Sequence, residues 1–208
     1  MGRPCEYDEE RALDGAMLVF WQKGFGGTSI TDLEQATGMK RQSLYNAFGD
    51  KLELFARVLG RYRDKGQQLV APLRRPDATL LDIRQNVLVN LGTQKKHECG
   101  ACMVIKAAFD PLLDDPEIRR VVKESALNTQ RLYRDVLKRE QQRGRIDPAL
   151  DPDALAQYLF CVLNGLSVLA QTGGTTRDVE RALDLALDHL PRPPKRRRKA
   201  VSSGAPHN

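Results

Sequence analysis

The segment GMKRQSLYNAFGDK, residues 38–51, decides the fold class of this chain. A glycine opens it, polar and basic side chains follow, and only Leu44 and Phe48 supply large apolar anchors. A helix held at two such points buries a narrow stripe and keeps its polar face exposed. Amide, hydroxyl and cationic groups on one face suit the major groove of DNA, where base edges offer donors and acceptors and phosphates attract cations.

The residues just upstream predict a second short helix, ending near residue 36. Ser29 followed by Asp32 is a capping-box pattern, and Gly38 supplies the turn between the two helices. Two short helices joined in this way have the spacing of a helix-turn-helix. The residues expected to face inward are Ile30, Leu33, Ala36, Leu44 and Phe48.

Nine residues of these two helices and their flanks are candidate DNA contacts. Gln42 and Asn46 are four positions apart, so both can point at bases. Thr28 and Ser29 begin the upstream helix, where free N–H groups bind phosphate, and Lys51 can clamp the flanking backbone. A lone polar helix face is more often plain solvated surface, but here the cap, the turn and the anchors agree. The full set is Thr28, Ser29, Lys40, Arg41, Gln42, Ser43, Tyr45, Asn46 and Lys51.

Proline and glycine divide the rest of the chain into helical segments, and no alternating strand pattern occurs. The sequence therefore predicts an all-α fold, with an N-terminal three-helix unit followed by a larger helical unit. Besides the two helices above and a long helix after Gly49, the predicted helices are 7–23, 78–94, 101–110, 116–143, 153–171 and 176–190.

The positive charge of the chain is concentrated in one segment. The net charge is +6, and residues 191–208 hold six basic residues and no acid, so the remainder is balanced. The net charge therefore does not by itself indicate DNA binding, because only basic side chains near phosphates contribute to DNA affinity. The segment PRPPKRRRKAVSSGAPHN lacks apolar residues to bury and is expected to be disordered.

The bulk composition predicts a cytoplasmic protein. Four cysteines are too few for a disulfide scaffold at this length, and the polar, acidic start predicts no signal peptide. Residues 154–176 carry no charge, but polar residues interrupt them and the apolar part ends at Ala170. This is at the short edge for a membrane span, so a helix buried in protein is expected, and no membrane partner.

The run TSITDLEQATGMKRQSLYNAFGDKLELF, residues 28–55, resembles the TetR family of bacterial transcriptional repressors. The resemblance is carried by Gly38, Leu44-Tyr45, Phe48 and Lys51 as a set. It implies an all-α homodimer whose N-terminal helices bind a double-stranded operator and whose C-terminal helices bind a small ligand and the partner. The family's contact positions fall on Thr28, Lys40, Gln42, Ser43, Tyr45, Asn46 and Lys51. Asn46-Ala47 departs from the polar pair common in the family, which leaves the operator sequence open.

The last two predicted helices are too apolar to leave exposed. Paired with the same helices of a second chain they form a four-helix bundle, so a homodimer through residues 153–190 is expected; completion of a monomer core is the alternative. The predicted domains are 6–66 for DNA binding, 67–190 for effector binding and dimerisation, and 191–208 as a basic tail.

The segment HECGACMVIKAAFD, residues 97–110, holds the candidate sensor residues His97, Cys99 and Cys102. Three interpretations stay open: buried small hydrophobes, a thiol sensor at a helix start near Lys106, or a soft-metal site. A metal is not expected, because His189 is the only other histidine of the folded body. The segment ACMVIKAAFD also resembles the GCLLV segment of a TetR branch that includes NemR-like electrophile sensors, with Ala101 in place of glycine and Cys99 as an extra. This favours Cys102.

We therefore expect a dimeric repressor that binds a palindromic operator and is released by a small molecule or by cysteine modification, without a cofactor. The alternatives are a constitutive regulator without an effector and a Cys-dependent enzyme, although the chain lacks common catalytic motifs. Modification of Cys102 would shift the long helices that lead to the DNA-binding unit. Candidate liners of a non-covalent pocket are Phe109, Leu112, Leu132, Tyr133 and Tyr158.

Overall fold

The computed structural model describes residues 9–96, 99 and 101–193, and every regular element in that part of the chain is helical. The predicted all-α fold is confirmed. The helices are α1 (Glu9–Gly27), α2 (Ile30–Thr37), α3 (Arg41–Phe48), α4 (Lys51–Val70), α5 (Leu80–Lys96), α6 (Met103–Ala108), α7 (Pro116–Gln142), α8 (Pro152–Gln171) and α9 (Thr176–Asp188). Short 3₁₀ turns occupy Ala71–Arg74 and Pro111–Asp114.

The helix-turn-helix forms as its local signals predict. Ser29 caps α2: its hydroxyl accepts from the Asp32 amide at 3.1 Å, and the Asp32 carboxylate accepts from the Ser29 amide at 2.8 Å. Gly38 ends α2 with φ of 72°, a left-handed conformation that glycine adopts at little cost. α3 therefore begins at a fixed angle to α2.

The first of two hydrophobic cores joins α1–α4 to α6 and the start of α7. Leu33, Leu44 and Phe48 are buried in it, as predicted, and Ile30 is partly buried. The expectation for Ala36 is wrong, because its side chain is exposed. Its backbone carbonyl instead lies against Gly15 of α1, where a side chain would overlap it.

The second core joins α5, α7, α8 and α9. α7 belongs to both cores: Ile118 and Val121 pack in the first, while Tyr133 and Leu137 pack in the second. The predicted boundary at residue 66 falls inside α4, which runs on to Val70. The two units are therefore linked by continuous helices, and the proposed division into domains stays a prediction.

α8 is long and apolar enough to cross a membrane by length and composition alone, a test that helices of soluble proteins also pass. One of its faces, including Ala156 and Leu159, is buried in the second core. Its opposite face carries Tyr158, Cys161 and Val168, which are exposed in the single chain and carry no charge. We call these three residues the α8 stripe.

Replacing Gly15 by alanine tests the close approach of α1 and α2. The added Cβ would overlap the Ala36 carbonyl, which is backbone and cannot move aside cheaply. We expect Gly15→Ala to lower the free energy of unfolding by about 1–3 kcal/mol, measured by urea unfolding with circular dichroism. Gly60→Ala, in open space within α4, is the matched control and should stabilise by about 0.5–1 kcal/mol. Equal effects of the two changes would contradict the overlap.

Candidate DNA interface and effector cavity

α3 presents one continuous polar surface. Arg41, Gln42, Ser43 and Asn46 are exposed on it, while Leu44 and Phe48 anchor the opposite face in the first core. Lys40, the exposed N-cap residue, extends the surface at its start. Six of the nine predicted contacts, including half-buried Tyr45, therefore lie together on one rigid helix.

Two contacts order this surface before any DNA arrives. The Gln42 amide Nε2 donates to Asn46 Oδ1 at 3.0 Å, so the two predicted base-reading side chains are already paired. The Arg41 guanidinium lies over the Tyr45 ring, 5.3 Å from its centroid. The paired amides keep further N–H donors and an oxygen acceptor. Base edges in the major groove offer the complementary acceptors and donors.

Thr28 does not face outward as predicted. It is buried, its hydroxyl donates to the Gly24 carbonyl at 2.6 Å, and its amide donates to the Phe25 carbonyl at 3.2 Å. Both of its donors close the end of α1 in this conformation, and its contact with phosphate stays a prediction. Ser29 is exposed but its side chain serves the capping box. Thr31, which sequence reasoning did not select, is exposed in the first turn of α2.

Lys51 also has an internal role. Its ammonium donates to the Phe25 carbonyl at 2.7 Å and lies 4.3 Å from the centroid of the Phe25 ring. These contacts tie the start of α4 to the end of α1. Lys51 therefore positions the helix-turn-helix from within, and any phosphate contact has to be made from that position.

A second tie joins α1 to α4 further along. The Arg61 guanidinium donates to both Asp14 carboxylate oxygens, at 2.5 and 3.1 Å, and Lys65 approaches the same carboxylate at 2.6 Å. The hydrogen bond from Arg61 is the main cause that lowers the pKa of Asp14 from 3.8 to about 2, against the opposing effect of burial and with further help from Lys65.

The candidate sensor segment is anchored to α1. The Trp21 indole N–H donates to the Ala101 carbonyl at 2.6 Å, and the Lys106 ammonium donates to the Trp21 carbonyl at 2.8 Å. Burial is the main cause that lowers the pKa of Lys106 below its usual value. We call this pair of hydrogen bonds the Trp21 clamp.

The three sensor candidates have different surroundings. Cys99 is buried in the first core, as a small hydrophobe would be, and Cys102 is half-buried at the start of α6. His97 lies outside the described residues. Within the described part of the chain, no group of three or more His, Cys, Asp or Glu side chains is arranged to hold a metal ion.

Tyr62 of α4 connects Cys102 to the clamp. Its ring packs edge-on against Trp21, with centroids 5.0 Å apart, and its hydroxyl contacts the Cys102 side chain. Burial raises the pKa of Tyr62 well above its usual value, and the neighbouring Cys102 adds to the effect. Cys102 is therefore linked to α4 through its contact with Tyr62, and to α1 through the packing of Tyr62 on Trp21.

A cavity of about 450 Å³ lies beside this cluster, bordered by α1 and by the helices from α4 to α8. Trp21, Tyr62 and Cys102 line one end of it. The liners predicted from sequence are elsewhere: Phe109 and Tyr158 are exposed, and Leu132 and Tyr133 are buried in the second core. Leu112 packs against the first core, and none of the five lines this cavity.

Comparison with known proteins identifies the architecture. The profile of "Bacterial regulatory proteins, tetR family" matches residues 12–58, and that of the "Tetracyclin repressor-like, C-terminal domain" matches residues 86–186. The transcriptional repressor ComR of Escherichia coli K12 is 33% identical over 190 residues, which cover 89% of this chain and 88% of ComR. This chain belongs to the TetR family.

Solved structures of TetR-family regulators share the fold. A cysteine variant of the regulator CifR, bound to a 26-base-pair operator, is 27% identical with a TM-score of 0.79, covering 91% of this chain and 100% of the CifR chain. The reduced form of E. coli NemR, at 18% identity, shows the fold alone, with a TM-score of 0.69 over 88% of this chain and 97% of that one. The TetR-family chain is a DNA-binding transcriptional regulator, and members of its family are dimers that bind small-molecule effectors.

The tie between α1 and α4 of this TetR-family chain gives stability a specific acid dependence. Because the pKa of Asp14 is lowered on folding, the ion pair stabilises fully above about pH 3.8, and the stabilisation is lost as the pH falls through about 2. Asp14→Asn should therefore flatten the fall in unfolding free energy across that range, as measured by urea unfolding at a series of pH values. Parallel curves for the two proteins would contradict the assignment.

Proposed function

We propose that the polar surface of α3 reads operator DNA in the major groove. The observation that carries this proposal is the ordered pair Gln42 and Asn46, exposed at the centre of a helix whose other face is locked in the first core. Gln42 and Asn46 would contact base edges, since side-chain amides match the donor and acceptor pattern of bases. Lys40, Arg41, Ser43 and Tyr45 would contact the phosphates beside them.

The start of α2 is proposed as a further backbone contact. Thr31 is exposed there, next to Ser29, and the N-terminal amides of a helix attract phosphate. The nearby Asp32 carboxylate is neutralised by Lys23, at 2.5 Å, which reduces its repulsion of the DNA backbone. Lys51 and Thr28 act by holding α1, α2 and α4 in place.

The α8 stripe is proposed as the centre of the dimer interface, within residues 153–190. A charge-free apolar strip on an otherwise packed helix is costly to expose to water. Two copies of this chain then present two α3 helices to successive half-sites, about 34 Å or a multiple of it apart, on a palindromic operator. The relative ComR is a transcriptional repressor, so we propose repression as the outcome of binding.

Release from DNA is proposed to start at the cavity. A ligand there, or a modification of Cys102, displaces Tyr62 and Ala101 and so strains the Trp21 clamp. α1 and α4 then move relative to each other, which changes the spacing of the two α3 helices. The relatives are transcriptional regulators, which are not enzymes, and we propose the same for this chain, acting in the cytoplasm.

Substitutions on α3 separate base reading from phosphate binding. Gln42→Ala should weaken binding to DNA from upstream of the chain's own gene by about 1–3 kcal/mol and leave binding to a random duplex unchanged. Lys40→Ala should weaken both and lower the salt slope of binding by about 1. Fluorescence anisotropy at several salt concentrations measures both effects.

The matched controls for these two changes are Gln142→Ala and Lys138→Ala, exposed positions on α7. Both should bind DNA as the unmodified chain does. If Gln42→Ala lowered binding to the random duplex as strongly as to the upstream DNA, Gln42 would not be reading bases.

Thiol switching at Cys102 is tested by an electrophile. The Cys102 sulfur adds to a ring carbon of a quinone, the thiol proton passes to one ring oxygen, and the hydrogen of the attacked carbon moves to the other, giving a hydroquinone thioether. We expect this treatment to weaken operator binding at least tenfold, and Cys102→Ser to abolish the response, both by anisotropy. Cys5→Ser is the matched control and should retain the response. Normal release by the Cys102→Ser protein would refute thiol switching and leave a non-covalent ligand as the effector.

A further inference from the structure

The effector cavity has a hydrogen-bonding pattern that restricts the chemistry of its ligand. Several polar side chains line it, and four of them donate a hydrogen bond to a backbone carbonyl. Asn86 Nδ2 donates to Leu69 at 2.8 Å, and Asn164 Nδ2 donates to Phe160 at 2.7 Å. The hydroxyls of Ser167 and Thr129 donate to carbonyls one turn earlier in their own helices, at 3.2 and 3.1 Å.

These bonds fix which atoms remain for a ligand. A backbone carbonyl can only accept, so each amide must direct its nitrogen to the carbonyl, which leaves its Oδ1 as an unspent acceptor and one N–H as a further donor. The two hydroxyl oxygens likewise keep their lone pairs. The cavity therefore offers acceptors at Asn86, Asn164, Ser167 and Thr129, all of which line it. A ligand satisfies them only if it brings O–H or N–H donors.

A further polar group at the same cavity lacks a partner. The Ser125 hydroxyl is buried without any hydrogen bond to the described residues, and Ser125 is one of the lining residues. A buried hydroxyl left in this state costs free energy. A ligand hydroxyl that donates to the neighbouring acceptors can also accept a hydrogen bond from the Ser125 hydroxyl.

The charges around the cavity exclude a charged ligand. No lining residue is acidic, and the two cationic lining residues already have partners. Arg63 pairs with Glu124 at 3.1 Å and with Asp64 at 2.9 Å, and Lys65 pairs with Asp14 at 2.6 Å. An anion would find no free cation, and a cation would meet two positive side chains and no carboxylate in the lining.

The rest of the lining is apolar or aromatic, with Met17, Trp21, Tyr62, Ile105, Leu163 and Phe160 among it. We propose that the cavity takes an uncharged, largely aromatic molecule that carries a hydroxyl or N–H donor, with the donor at Asn86 and Asn164 and the apolar body against Trp21 and Tyr62. This inference rests on the proposed function, in which the cavity is the effector site. Its volume of about 450 Å³ lies within the range of pockets for such molecules.

Four biphenyls that differ in one substituent test the proposal. The neutral donor is para-phenylphenol, and para-methoxybiphenyl replaces its O–H by O–CH3, which removes the donor and adds one methyl group. Para-biphenylcarboxylate and para-biphenylmethylammonium supply the two charges. Trp21 is the only tryptophan of the chain and lines the cavity, so its emission reports binding, with titration calorimetry as a second readout.

We expect para-phenylphenol to bind at least tenfold more tightly than each of the other three compounds and to weaken operator binding. Asn164→Leu, which keeps the approximate volume, should reduce the preference over para-methoxybiphenyl to below about threefold. Equal binding of para-methoxybiphenyl would overturn the need for a donor, and tighter binding of either charged compound would overturn neutrality. Binding of none would overturn the ligand class. Operator binding without any compound is measured in parallel, so failure of the proposed DNA-binding function would be seen separately.

Discussion

The Trp21 clamp is the contact that holds the candidate sensor segment against the DNA-binding unit. Trp21 donates through its indole to Ala101 and accepts through its carbonyl from Lys106, so one residue of α1 holds both ends of the segment that enters α6. Eighty residues of sequence separate Trp21 from Ala101. A buried donor and acceptor that lose their partners cost more than the bonds contribute when made. Separating the segment from α1 therefore costs free energy, so the two move together.

A continuous helix, α4, connects the DNA-binding unit to the cavity. α4 begins at the DNA-binding unit, where Lys51 donates to the Phe25 carbonyl. It ends beside the cavity, where the Asn86 amide donates to the Leu69 carbonyl. Packed cores shift between discrete arrangements rather than deforming smoothly. A ligand that draws Asn86 or Tyr62 out of place therefore acts on a rigid rod whose other end sets the position of α3. Trp21 belongs both to the cavity lining and to the clamp, so the proposed coupling is local.

Local signals in the sequence were enough to predict the helices and the exposed polar surface of α3. Ser29 and Asp32 define a cap within four residues, and Leu44 and Phe48 define a buried face within one helix. The internal hydrogen bonds of Thr28 and Lys51 were not foreseen, because their partners, Gly24 and Phe25, are set by how α1 ends and how α4 packs on it. The cavity was missed for the same reason: its residues come from six helices, and no pattern within one helix marks them.

In the proposed reading of operator DNA by α3, the pairing of Gln42 with Asn46 has a consequence for site selection. Each amide gives up one hydrogen bond to the other, so the surface that meets DNA is a single rigid unit instead of two independent side chains. Less side-chain entropy is lost when such a unit binds. A base pair that matches the unit keeps the internal bond, whereas one that does not match has to break it. Discrimination then comes from the cost imposed on wrong sequences as well as from contacts with the right one.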